Sequence, residues 1–397
     1  MDYKIGCDAH KHYSQFAVLD REGRLLTQHR VDHQPGAIRT FLENLPEGTP
    51  VALETVGNWY WIADEIEAAG CLPLLTHAAK AKLMIPRPIT SAQREGRGMM
   101  GNINKTDKLD AKGLAKLLHL DSLPTVWLPP GEIRDERELH RTRMALSKLR
   151  TALKNRIHDT LATPALAGGA REYGITNNEH SDIFVGAGRA WLETTLSQLP
   201  PETGRCVTQE LEALDGLQLQ IAQLEKRIRD RAALTASIQL LKTLPGVGDI
   251  LAIAIEREIG SIDRFDTAGQ LASYAGVVPT IHASGGKTRF GHMRKPSNQY
   301  LKWAFVEAAN VVVRHRHHPA WKTKCVSQVY ERVCRRKGHA IAVGAVARHL
   351  AEAAFWILNK QEPYRPPAVR QARGLPATPS RRPFGRAGSP KQVQGRA

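Results

Sequence analysis

The first 120 residues switch between strand-type and helix-type periods in an order that few folds accommodate. Strand-type runs at Tyr3–Asp8, His12–Leu19 and Arg24–Val31 come first, the last two joined by Asp20-Arg21-Glu22-Gly23, a hairpin turn. A helix over Pro35–Leu45 and a strand over Pro50–Leu53 follow, then a helix over Trp59–Ala69, a strand over Cys71–Leu75 and a helix from Thr106 to Leu120. Acids fall at the ends of these elements. Asp8 closes the apolar strand Ile5-Gly-Cys-Asp, where an unpaired carboxylate would be costly. Glu54 ends the fourth strand, and Asp107 and Asp110, three apart, share one face of the last helix.

Three antiparallel strands followed by αβαβα is the ribonuclease-H-like order, with acids expected on strand one, at the end of strand four and on the final helix. Taken singly, Asp107 and Asp110 could simply pair with Lys105, Lys108 and Lys112 on a surface helix. Taken with the strand order, Asp8, Glu54, Asp107 and Asp110 are expected to gather around Mg²⁺, for which Mn²⁺ can substitute. Two such ions about 3.5–4 Å apart would clamp the attacking and leaving oxygens of a phosphoryl displacement. The rest of the chain is basic, with 56 Lys and Arg against 39 Asp and Glu, net charge +17 and pI near 9.8. Such a balance suits a polyanion partner. A basic body with an acidic pocket points to phosphodiester chemistry on nucleic acid.

Composition also excludes. The five cysteines (Cys7, Cys71, Cys206, Cys325, Cys334) form no C-x-x-C pair, which argues against a zinc ribbon or a disulfide framework. The polar N-terminus does not read as a signal peptide, and no apolar run approaches the roughly 20 residues of a membrane span. A cytoplasmic protein without membrane contact is expected.

After a first domain (1–125), residues 126–240 read as two long helices, Glu132–Leu161 and Glu202–Leu241. Leu139, Leu146 and Leu153 on the first, and Val207, Leu214, Ile221 and Ile228 on the second, repeat every seven residues, a coiled-coil pattern expected to drive self-association. Two helices packed within one chain would show the same spacing. In residues 241–360, Leu244-Pro-Gly-Val-Gly248 opens a helix at Asp249 as a helix-hairpin-helix turn does, making Gly246 and Gly248 candidates for close backbone approach to a phosphate. A Gly-rich loop, His282 to Lys295, carries Ser284 beside Lys287, Arg289, Arg294 and Lys295. Its serine is a candidate nucleophile and its cations candidate nucleic-acid contacts, although Ser-Gly-Gly is also an ordinary turn. Helices over Asn298–Arg314 and Ala340–Asn359 supply a second core, and His315-Arg-His-His318 reads as a solvated helix end. Residues 361–397, with eight Lys and Arg, seven Pro and one Glu, read as a disordered basic tail.

Ile5-Gly-Cys-Asp-Ala-His-Lys11, Val51-Ala-Leu-Glu-Thr-Val-Gly57 and Lys105-Thr-Asp-Lys-Leu-Asp-Ala-Lys112 resemble the N-terminal signatures of the DEDD transposases of bacterial insertion sequences, relatives of the pilin-gene invertases. Leu244–Gly248, Tyr274-Ala-Gly-Val-Val-Pro279 and Ser284-Gly-Gly-Lys-Thr-Arg-Phe-Gly291 resemble that family's C-terminal domain. The resemblance implies a RuvC-like domain, a coiled-coil segment and a mainly helical domain with a nucleophilic serine. It makes Asp8, Glu54, Asp107 and Asp110 the metal-binding tetrad and Ser284 the nucleophile. It further implies donor and target DNA duplexes as partners, a dimer or synaptic tetramer, and, for some members, a noncoding bridge RNA that chooses both duplexes. One departure is Pro296-Ser297, where the family usually has Lys-Gly. The alternatives are a Mg²⁺-dependent junction endonuclease using the carboxylates alone, and a non-catalytic nucleic-acid-binding regulator.

Overall fold

A strand buried on both faces reads as a continuous apolar run, and β1 (Lys4–Ala9) is such a strand. In the computed structural model, which describes residues 3–55, 57, 59–85, 107–162, 180–232, 235–293 and 297–366, it is the centre of a five-stranded sheet of order β3-β2-β1-β4-β5. Its neighbours are β2 (Tyr13–Leu19), antiparallel, and β4 (Pro50–Glu54), parallel; β3 (Leu25–Asp32) and β5 (Leu72–Thr76) are the edges. β3 is mostly exposed, as an edge strand of alternating polarity should be. Helices α1 (Ala37–Leu42) and α2 (Trp59–Ala68) cover one face, where Ile38, Leu42, Ile62 and Ile66 pack on Ile5, Cys7, Phe16, Val51 and Leu53. Helices α3 (Ala78–Met84), which the sequence pattern did not suggest, and α4 (Asp107–His119) cover the other. This is the ribonuclease-H-like arrangement, and it occupies a compact unit of residues 1–130.

The second unit, residues 131–397, is mainly helical. Its long helices α5 (Gly131–Ala162) and α7 (Pro201–Arg231), with α6 (Gly186–Thr195) between them in sequence, pair within the chain. Arg143 bonds Glu225 and Arg156 bonds Glu210, so the two run antiparallel. The expected seam of α7 is buried: Val207, Leu214, Ile221 and Ile228 all point inward. That of α5 is not. Leu139, Leu146 and Leu153 are only half-buried and Leu149 is 55 % exposed, while Arg134, Arg137, His140, Met144 and Ile157 form the buried row. The expected single helix Glu202–Leu241 ends at Arg231, and a new helix, α8 (Ala236–Leu241), starts where the Thr235 hydroxyl accepts a hydrogen bond from the Ile238 N–H.

α9 (Asp249–Ile259), α10 (Ala268–Tyr274), α11 (Gln299–His315), α12 (Pro319–Lys322), α13 (Cys325–Lys337) and α14 (His339–Lys360) build the second core around Phe305, Val312, Leu350 and Phe355. α14 is long and apolar enough, by length and composition, to cross a membrane, contrary to the sequence expectation; its eleven buried residues make it the central helix of this core. The expected loop from His282 is instead a hairpin of β6 (Pro279–Ser284) and β7 (Lys287–Met293).

Candidate active site

Strand register brings two of the predicted acids side by side. Ile5 pairs with Val51, Gly6 with Ala52 and Cys7 with Leu53, so the next step sets Asp8 beside Glu54 at the strand ends. Side chains alternate, which places both carboxylates on the face that carries Gly6 and Ala52. α4 covers that face, with Leu114, Leu117 and Leu118 packed against Ala52. Gly6 permits the approach: a Cβ there would lie 2.0 Å from the Ala111 carbonyl oxygen and 2.5 Å from the Ala115 nitrogen. Ala111 follows Asp110 directly, so Asp8, Glu54 and Asp110 come to one side of the sheet. Asp107 begins α4, and its side chain lies outside the described residues.

Asp8 is only 6 % exposed. Its Oδ2 lies 3.3 Å from Nε2 of His10, whose ring packs against Tyr13, which in turn lies under the Arg30 guanidinium at 3.9 Å. His10 escaped the sequence reading; its signal was its position two residues beyond Asp8, on the same face. Among the described residues no three His, Cys, Asp or Glu side chains are gathered closely enough to hold an ion. An all-carboxylate set is nonetheless the donor chemistry of a hard, oxygen-seeking cation. Cys7 points to the opposite face, and burial pushes its thiol up to about 12.

Ser284 stands in the other unit, at the tip of the β6–β7 hairpin. Gly285 and Gly286 take φ of +55° and +73°, the two left-handed positions of a tight hairpin turn. Ser284 therefore pairs across the turn with Lys287, and His282 with Arg289. Ser284, His282 and Arg289 share one exposed face; the Lys287 side chain, and residues Arg294 and Lys295 entirely, lie outside the described residues.

The glycines of the Pro245–Gly248 turn have different reasons. Gly246 has φ +84°, and a Cβ there would meet the Ala308 carbonyl oxygen at 2.3 Å, so close packing on α11 requires it. Gly248 caps α9, and a Cβ there would meet open space. A cavity of about 1150 Å³ opens beside this turn, lined also by Arg229, Lys242, Trp321 and Lys324. The Lys324 ammonium sits 4.0 Å from the Trp321 ring centre. His315 ends α11 with its Nδ1 2.9 Å from the Val311 carbonyl oxygen.

A buried polar cluster near the hairpin was also missed. Glu258 is 1 % exposed and accepts from Arg141 Nε at 3.0 Å and from Asn298 Nδ2 at 2.8 Å. Arg137 donates to the carbonyls of Arg257 and Glu258, capping the end of α9. Asn298 also bonds the Tyr274 hydroxyl, and its backbone N–H bonds the Tyr274 carbonyl. Beside it, burial pulls the His140 imidazole down to about 4.

The sheet order and the helical second unit define a ribonuclease-H-like domain followed by a mainly helical one. Residues 5–164 match the family model described as a DEDD transposase of IS110 type, and residues 238–325 that of the transposase IS116/IS110/IS902 family. Relatives include a "Probable family 20 transposase" of Pseudomonas aeruginosa, 26 % identical over 91 % of this chain and 98 % of that protein. The transposase for insertion sequence element IS1111A of Coxiella burnetii is 28 % identical over 66 % of this chain and 69 % of its own length. That for IS1328 of Yersinia enterocolitica is 22 % identical over 90 % and 96 %. The chain carries the domain architecture of the DEDD transposases of the IS110/IS116/IS902 family, and with it the general activity of a transposase or recombinase on DNA.

Proposed function

We propose that the chain is an insertion-sequence recombinase that cuts and rejoins DNA with Ser284 as nucleophile and Asp8, Glu54, Asp107 and Asp110 as ligands for Mg²⁺. The observation that carries this reading is the register of β1 and β4 under α4, which turns Asp8, Glu54 and Asp110 to one side of the sheet. Mg²⁺ bound there would supply charge stabilisation at the phosphoryl oxygens. His10, beside Asp8, holds that carboxylate in place.

Ser284 Oγ forms a bond to phosphorus as a sugar oxygen departs with the serine proton, leaving DNA joined to the chain through a phosphoserine. Attack by a second sugar hydroxyl reverses the step, forming a new phosphodiester and returning the proton to Ser284. No nucleotide cofactor is consumed, because the linkage energy is kept. The exposed tip position of Ser284 suits a group that must reach a DNA backbone. Gly248, Arg289, Lys287, Arg294 and Lys295 are the proposed backbone contacts, and Gly246 holds the turn that presents Gly248. A dimeric or tetrameric assembly, and guidance by an RNA encoded with the element, complete this reading on the strength of the family resemblance.

The test is capture of the covalent intermediate. Wild-type chain with Mg²⁺ and DNA spanning the element's end should yield a denaturation-resistant adduct that maps to Ser284. Ser284→Ala should bind DNA and give neither adduct nor joined product; Asp8→Asn should fold, bind and give neither. Recombination by Ser284→Ala at the wild-type rate would leave a carboxylate-only nuclease.

A further inference from the structure

We infer that the β6–β7 hairpin is also a wedge, whose Ile281–Phe290 face inserts into duplex DNA and unstacks a base step within about three steps of the phosphodiester that Ser284 attacks. The inference rests on the reading of Ser284 and DNA given above. The register pairs Ile281 with Phe290, and strand alternation puts this pair on the face opposite Ser284, His282 and Arg289. Ile281 is 63 % and Phe290 65 % exposed. Two large apolar side chains opposite one another on this hairpin form one continuous bare patch rather than single scattered residues.

The rest of the hairpin is tied down. Its root is fixed where Met293 packs so closely on Gly344 of α14 that a Cβ there would lie 2.4 Å from the methionine methyl. The Thr280 hydroxyl bonds the His292 carbonyl at 3.1 Å, bracing the strands just below the bare pair. The wedge is thus held on a two-stranded ribbon joined to the central helix of its unit.

Charge selects the occupant. Residues 267–306 contain no Asp or Glu and five Lys and Arg: Lys287, Arg289, Arg294, Lys295 and Lys302. A second copy docking on so basic a segment would bring like charge toward like charge, whereas DNA neutralises it. Size agrees. A stable protein interface buries at least about 1,200 Å², far beyond two side chains. Proteins that kink DNA insert one or two apolar side chains of these types between base pairs. Ile281 lies three residues from Ser284, roughly 10 Å along a strand, which spans about three base steps at ~3.4 Å each. Unstacking there would loosen the backbone that the serine must attack.

The experiment uses the full chain and a duplex spanning the element's end, with 2-aminopurine placed at successive steps around the cut and no divalent metal, so that binding is not followed by cutting. Wild-type protein should raise the fluorescence at one or two adjacent steps. The double variant Ile281→Ser with Phe290→Ser, both at exposed positions, should melt like wild type and bind the duplex, yet give no rise. With Mg²⁺ it should join strands about tenfold or more slowly, since unstacking a step costs a few kcal/mol, and a mismatch built into that step should restore the rate. The inference is overturned if saturating wild-type protein gives no rise, if the variant keeps it, or if the mismatch fails to restore joining. A variant that instead loses self-association assigns the face to a second copy, and a rise seen only with an RNA stem-loop assigns it to RNA; either result also overturns the wedge. Fluorescence is read in Ser284→Ala too, where the rise should persist, so a failed serine mechanism still leaves the wedge decided.

Discussion

Replacing Gly6 with alanine tests whether the contact between β1 and α4 assembles the carboxylates. The added Cβ would sit 2.0 Å from the Ala111 carbonyl oxygen and 2.5 Å from the Ala115 nitrogen, both backbone atoms that no rotamer change can move aside. Restoring an ordinary contact requires α4 to retreat by about 1 Å or more, with overpacking costs of about 1–3 kcal/mol. Because Asp110 directly precedes Ala111, that retreat draws it away from Asp8 and Glu54. A displacement of about 1 Å at a reacting centre costs on the order of 10²-fold in rate. We expect Gly6→Ala to melt a few degrees lower and to lose about two orders of magnitude in recombination, with DNA binding in gel shifts retained. The comparison is Gly216→Ala on α7, where a Cβ meets open space and the melting temperature should hold or rise. A Gly6→Ala protein that recombines DNA like wild type would refute the claim that this contact sets the site.

Two further outcomes are expected. The folded His140 imidazole is held down to about 4 by burial, against about 6.5 unfolded. Below pH 6.5 the unfolded state takes up a proton that the folded state refuses, so stability falls as pH drops from 6.5 to 4, by up to about 3 kcal/mol, and levels off beneath. Urea unfolding across that range should show the loss in wild type and a flatter profile in His140→Leu; equal slopes would remove His140 as the cause. Gly246→Ala should be destabilised by about 1–3 kcal/mol through its collision with Ala308, while Gly248→Ala should melt like wild type and show weaker DNA binding. Equal melting temperatures for the two would contradict the separate roles given to these glycines.

The first unit was legible because its elements obey local rules. Ile5-Gly-Cys-Asp and Val51-Ala-Leu-Glu are short apolar runs bounded by turns, and their order dictates which strands neighbour each other. The neighbouring positions of Asp8 and Glu54 follow from their ending those runs, but the reason α4 can approach them, the missing Cβ of Gly6, is a contact between residues more than a hundred apart in sequence. The heptads misled on α5. Leucines at 139, 146 and 153 look like a seam, yet Arg137 and Arg141 turn toward Glu258, a partner over a hundred residues away that no periodicity announces. The serine segment read as a loop because it is rich in glycine; the pairing of Ile281 with Phe290 across Gly285-Gly286 makes it a hairpin, and two left-handed glycines in succession are the signal that could have revealed it.

Glu258 has a mechanical consequence. Tyr274, before the hairpin, and Asn298, after it, are bonded to each other, and Asn298 is bonded to Glu258. The same carboxylate receives Arg141 from the long helix α5. The hairpin therefore has a fixed fulcrum. A load applied at its tip would reach this buried ion cluster as well as the Met293–Gly344 contact, and through the cluster a helix of 32 residues. Force at the tip and the attitude of that helix are coupled where Glu258 meets Arg137 and Arg141.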